Sequence, residues 1–247
     1  MIGFYDYTVV LTYISLVISM VGMTQAIHGR FKTALVCLAL SGLCDMFDGK
    51  IARTKKERTE DEKTFGIQID SLCDMVCFGA FPALICYLLG VRGFWGLSVI
   101  GLYIVASVVR LAFFNVMEMK GALVSEDGEK FYRGLPITSI AIVLPMVFLT
   151  QFFLTTRTFI ICLYLLLLIV GGLFVADFRL RKPTNRELAL LVAMVAVAVS
   201  TIVVYSRYAV RVGREDAGAS ELVTESWLDE VPWGEEEGAA QEEGGTP

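Results

Sequence analysis

Seven apolar stretches of about spanning length follow one another along the first 206 residues, separated by short polar connections. They run roughly over 7 to 27, 31 to 49, 66 to 90, 94 to 117, 135 to 155, 158 to 176 and 187 to 206. A hydrocarbon core about 30 Å thick takes about 20 apolar residues of helix. Inside lipid the backbone has no water to bond, and a helix satisfies its polar groups internally. The strict alternation of a barrel strand is absent. The pattern therefore predicts an all-α, polytopic transmembrane helix bundle of six to seven spans. The start, MIGFYDYTVV, lacks a basic flank and its apolar run continues to spanning length, so it reads as a retained span and not a cleaved leader.

Composition supports this reading and divides the chain. Hydrophobic residues make up 55% and the mean hydropathy is +0.64, against an apolar share of about 45–50% in soluble domains. The formal charge is −5, but the acidity is local: residues 215–247 hold eleven acidic and no basic residues. Without them 15 acids face 21 bases, and residues 1–214 carry +6. A membrane-embedded domain at 1–206 and an acidic tail at 207–247, expected to be disordered, follow from this shift. If the loop at 50–65 is cytoplasmic, thirteen lysines and arginines, from Lys50 to Arg186, fall on its side of the membrane and seven, from Arg30 to Arg214, on the other. That balance orients the loop toward the cytoplasm of a cell-membrane protein. The same scheme exports Arg207, Arg211 and Arg214 unless the seventh segment is interfacial or re-entrant. No nucleic-acid partner is expected. All six cysteines lie in apolar segments and read as small hydrophobes, without a disulfide framework.

One charged interruption breaks the apolar pattern with chemistry: DMFDGKIARTKKERTEDEKTFGIQIDSLCD, from Asp45 to Asp74. On a helix, Asp45 and Asp48 (i, i+3) share one face, as do Asp70 and Asp74 (i, i+4) on the next helix. A short loop makes the two helices antiparallel neighbours. Four carboxylates in one poorly screened space repel, so either several are protonated or cations sit among them. An all-carboxylate donor set suits Mg2+, Mn2+ or Ca2+, and the single histidine, His28, lies outside the stretch. Gly49 and Gly66 leave room for a ligand to approach the backbone, Ala52 keeps the surface between low, and Arg53 offers a planar fork of donors to a phosphate.

Asp45-x2-Asp48-Gly49-x2-Ala52-Arg53 followed by Gly66-x3-Asp70-x3-Asp74 resembles the signature of the CDP-alcohol phosphotransferases, membrane enzymes that join a CDP-activated group to an alcohol and release CMP. Eight residues agree in order and spacing over a likeness that covers about residues 1–185. The twelve residues between Arg53 and Gly66 make a longer loop than is usual in the family. That loop, together with RLAFFNV (Arg110 to Val116) and FYRGLPIT (Phe131 to Thr138), is similar to the branch that makes phosphatidylserine. The resemblance implies a catalytic domain over 1–206 that uses CDP-diacylglycerol and L-serine, and two divalent cations (Mg2+ or Mn2+) held by Asp45, Asp48, Asp70 and Asp74. It further implies Asp74 as the catalytic base, a CDP seat at Gly49, Ala52, Arg53 and Gly66, and a homodimer among membrane lipid.

Two arginines stay open as acceptor or phosphate contacts. Arg110 lies inside the fourth apolar segment, where a cation needs a partner or a wet cavity; it meets a substrate anion, pairs with an aspartate of the cluster, or snorkels. Arg133 sits in a loop punctuated by Gly134 and Pro136 and meets substrate or lipid head groups. Within the family, glycerol phosphate or inositol phosphate could replace serine, and CDP-archaeol could replace CDP-diacylglycerol. A proton or cation pathway in a transporter would also use buried acids with Arg110, but it has no need of Gly49, Arg53 and Gly66 at these offsets.

Overall fold

A computed structural model describes residues 9–52, 59–120 and 131–181 and isolated positions between 193 and 201; at 49–52, 131–133 and 179–181 it describes the backbone alone. The helices are α1 (Val10–Ile27), α2 (Phe31–Ala52), α3 (Glu60–Asp74), α4 (Phe81–Leu89), α5 (Gly93–Met119), α6 (Ile140–Leu149) and α7 (Thr156–Val175), with a π-helical turn, Met75–Ala80, joining α3 to α4. Six of the seven apolar segments are thus helical. The seventh, and the acidic tail, lie outside the described residues but for a few positions before 202.

Among the described residues, four helical runs, Val10–Ile27, Glu60–Leu89, Gly93–Met119 and Thr156–Val175, are long and apolar enough to cross a membrane. The sequence pattern suggested six to seven; the last segment, 187 to 206, lies largely outside the described residues, and two others fall short for separate reasons. α2 is long enough but carries Lys32, Asp45, Asp48 and Lys50. The helical run containing α6 extends only over Ile137–Phe152. Large apolar side chains face outward as well as inward, among them Val17, Leu102, Phe113, Leu165 and Ile169. Helices apolar all round belong in lipid, and the chain is an integral membrane protein.

The third helix begins at Glu60, six residues before the apolar segment. Its start is set by a capping box: Thr59 Oγ1 accepts from the Glu62 amide at 3.2 Å, and the Thr59 amide donates to Glu62 Oε2 at 3.0 Å. Glu60, Asp61 and Glu62 occupy the first turn, where the helix dipole favours negative charge.

The same helix changes type directly after Asp74. The Met75 amide still bonds Ser71 O, four residues back, whereas the Phe81 amide bonds Val76 O, five back. Pro82 supplies the reason, since it has no N–H for Phe78 O and its ring crowds that carbonyl. The buried Tyr103 hydroxyl of α5 donates to Phe78 O instead, at 2.6 Å, which satisfies a carbonyl that the proline leaves without its helical partner.

α1 and α2 form an antiparallel hairpin closed at Gly29, whose φ of +74° suits glycine. A side chain at Gly42 would meet Ala141 Cβ of α6 at 2.8 Å, so its absence lets the two backbones approach. Leu35, Leu38, Phe78, Phe81, Ile85, Ile140, Leu144, Leu163 and Leu167 fill the interior. One departure from the all-helical expectation is an antiparallel ribbon of β1 (Phe131–Arg133) and β2 (Arg179–Arg181), with Tyr132 opposite Leu180. Gly134 follows it at φ +73° and donates its amide to Phe178 O at 2.8 Å.

Candidate active site

α2 delivers Asp45 and Asp48 near its end, and α3 delivers Asp70 and Asp74 at its end. Asp45, Asp70 and Asp74 each bring one carboxylate oxygen within 4.8 Å of the other two. All three are half-buried. Asp48 adjoins Asp70, and only 7% of it is exposed. Its Oδ2 accepts from the Thr12 hydroxyl of α1 at 3.2 Å.

This donor set fits a hard divalent cation. Oxygen ligands of Mg2+ and Ca2+ stand about 2.0–2.6 Å from the ion, so two oxygens on one ion are at most about 5 Å apart. The three carboxylates meet that limit. Arg110 hydrogen-bonds elsewhere: its Nε donates to Leu135 O at 3.0 Å, and its guanidinium lies 5.6 Å from the Phe114 ring centroid. The reading of Arg110 as an ion-pair partner of an aspartate therefore has no support in the geometry. Arg110 is buried in α5, and it lines a cleft of about 200 Å³ with Val109, Phe113, Phe174 and Asp177.

The other sequence candidates are placed unevenly. Gly66 is half-buried on α3, about one turn before Asp70. Gly49 and Ala52 continue α2 as backbone, Arg133 belongs to β1 as backbone, and Arg53 lies outside the described residues.

Several polar groups around the cluster escaped the sequence reading. Ser71, next to Asp70, donates to Asn115 Oδ1 of α5 at 2.6 Å. Thr12, Ser15 and Ser19 form a buried column on α1; Ser15 Oγ lies 2.6 Å from Ser41 Oγ, and Ser19 Oγ donates to Ser41 Oγ at 2.9 Å. Their i, i+3, i+7 spacing in a mostly apolar helix was the available signal. The π-helical turn after Asp74 is a second missed feature, and Pro82 was its only trace.

Comparison with known proteins gives the arrangement a context. Residues 8–171, about two thirds of the chain, match the pattern of the CDP-alcohol phosphatidyltransferase family, and this span includes all four aspartates. A CDP-diacylglycerol–serine O-phosphatidyltransferase of Saccharomyces cerevisiae is 33% identical over 112 residues, 44% of this chain and 39% of that protein. One from Helicobacter pylori is 31% identical over 130 residues, 52% of this chain and 51% of that protein. An archaetidylserine synthase of Methanothermobacter thermautotrophicus is 32% identical over 129 residues, again 52% and 51%. The chain thus spans about half or less of the length of these relatives. With an aspartate signature that folds into one cluster and a match over most of the helical bundle, the chain belongs to the CDP-alcohol phosphatidyltransferase family.

Proposed function

We propose that this protein transfers the phosphatidyl group of CDP-diacylglycerol to the hydroxyl of L-serine, giving phosphatidylserine and CMP. The observation that carries this reading is the convergence of Asp45, Asp70 and Asp74 within 4.8 Å, in a family whose serine-transferring members resemble this chain. Asp45, Asp48, Asp70 and Asp74 would hold divalent cations, Mg2+ or Mn2+ and two in number. When bound, such ions neutralise the charge of a diphosphate and of a departing CMP.

The chain's own groups do the rest. Asp74 takes the proton from the serine hydroxyl as its oxygen forms a bond to the lipid-side phosphorus and the bond to the CMP oxygen breaks. Gly49, Ala52, Arg53 and Gly66 seat the CDP portion. Arg110, a buried cation on a cleft, and Arg133 are the contacts for an acceptor carboxylate or a phosphate. The site faces the cytoplasm of the cell membrane, and the protein works as a homodimer.

A second reading concerns the donor. The archaetidylserine synthase is about as similar to this chain as the diacylglycerol-dependent relatives are, and a site that reads CDP accepts either tail. Purified protein given labelled serine with CDP-diacylglycerol or CDP-archaeol separates the two. Labelled phosphatidylserine is expected; label only in the archaeol lipid reverses the donor assignment, and label in neither overturns the acceptor.

A further inference from the structure

We infer that Thr12 is a positioning residue for the carboxylate cluster: its hydroxyl holds Asp48 Oδ2 and so sets how Asp48 stands beside Asp70 at the cation site. The inference rests on the cation reading of the cluster and goes beyond it, because Thr12 belongs to no part of the aspartate signature.

Thr12 lies in the first turn of α1, at the end of the hairpin that carries Asp48. Both side chains are almost fully buried, Thr12 with 5% and Asp48 with 7% exposed. A carboxylate offers two oxygens, and Asp48 Oδ2 is the one that accepts from Thr12. The bond therefore fixes how the carboxylate plane is turned.

What holds Thr12 at this point is the hydroxyl column below it. Ser15 and Ser19 both bond Ser41 of α2, and Ser15 Oγ also reaches Cys77 Sγ of the π-helical turn at 3.7 Å. Cys77 stands three residues after Asp74. One face of α1 thus touches α2 through Asp48 and Ser41 and the following helix through Cys77. A rotation of α1 would strand these hydroxyls in an apolar interior, which costs free energy for each unpaired group. The column fixes the rotation of α1, and Thr12 passes that constraint to Asp48.

If the contact served stability alone, its removal would lower the unfolding temperature and leave cation affinity untouched. Groups that orient metal ligands behave otherwise, since their loss typically weakens metal binding about 10–100-fold. The test is Mn2+ binding to the full-length protein in detergent micelles, read from the free-ion electron paramagnetic resonance signal, with thermal unfolding measured in parallel. Thr12→Val should weaken Mn2+ binding about tenfold or more, and Thr12→Ser, which keeps the hydroxyl, should restore most of it. Ser19→Ala, which removes one bond of the column while Ser15 still bonds Ser41 and no carboxylate is touched, should lower the unfolding temperature and bind Mn2+ like the wild type. If Thr12→Val does not fold, Thr12→Ala makes the same comparison. Unchanged Mn2+ affinity in the Thr12 variants, or an equal loss in Ser19→Ala, overturns the positioning role. Wild-type protein that binds no Mn2+ overturns the cation reading itself, and the role of Thr12 with it.

Discussion

Asp45 and Asp48 stand three residues apart on an uninterrupted α-helix, while Asp70 and Asp74 stand four apart on a helix that turns π-helical at the next residue. The first pair is held from the side. α1 lies along α2, and a column of hydroxyls from Thr12 to Ser19 binds Asp48 and Ser41 across that contact. The second pair is held along its own axis. A capping box fixes the start of α3, and beyond Asp74 a proline forces a change of helix type that a tyrosine of α5 makes tolerable. The difference teaches that four similar carboxylates depend on different parts of the bundle, so distant substitutions should separate the two pairs.

The largest effect expected comes from the second pair. Asp74→Asn removes the proposed base and should lower turnover about 10²–10⁴-fold, measured as CMP release at saturating substrates. Near-normal turnover would remove Asp74 from that role. Asp45→Ala and Asp70→Ala take one ligand from each arm. Both should raise the Mn2+ concentration needed for half-maximal activity by more than the about 10–100-fold that outer-sphere changes cause. If only one arm responds, the cation belongs to that arm and not to the space between them.

Smaller effects probe how the second arm is held. Tyr103→Phe leaves Phe78 O without the donor that stands in for the missing amide of Pro82, which should cost about 1–3 kcal/mol in detergent unfolding. Pro82→Ala returns an amide to that carbonyl, so the double substitution should be less destabilising than Tyr103→Phe alone. Simple additivity would mean the proline and the tyrosine are not coupled. The smallest change is Thr59→Ala, which removes the capping box and should cost about 0.5–2 kcal/mol with turnover retained at temperatures where the protein is folded. A loss of turnover as large as that of Asp70→Ala would show that the α3 start is part of the site.

Much of this was legible in the chain itself. The aspartate spacings are local, and helical periodicity alone puts Asp45 with Asp48 and Asp70 with Asp74; that Asp45 meets Asp70 and Asp74 is a tertiary fact. The apolar segments located six helices because hydropathy is a property of composition. What stayed hidden depends on contacts between residues far apart in sequence. Nothing around Asp48 names Thr12, 36 residues earlier, as the donor to its carboxylate. Pro82 announces a disturbed helix, but that Tyr103 would answer it is a tertiary fact. The ribbon between Phe131–Arg133 and Arg179–Arg181 is too short for a strand pattern to register. The start of α3 at Glu60 was missed for a different reason: its signals are polar, Thr59 and Glu62, and lie before the apolar run.

The central claim is that the aspartate cluster directs phosphatidyl transfer to serine. Its most direct test is CMP release by purified protein with CDP-diacylglycerol and Mn2+, with and without L-serine, and again after thorough chelation. The expected result is release that requires serine, stops on chelation and returns when Mn2+ is restored. Release that persists without divalent cations, or that ignores serine and follows another alcohol, would contradict it.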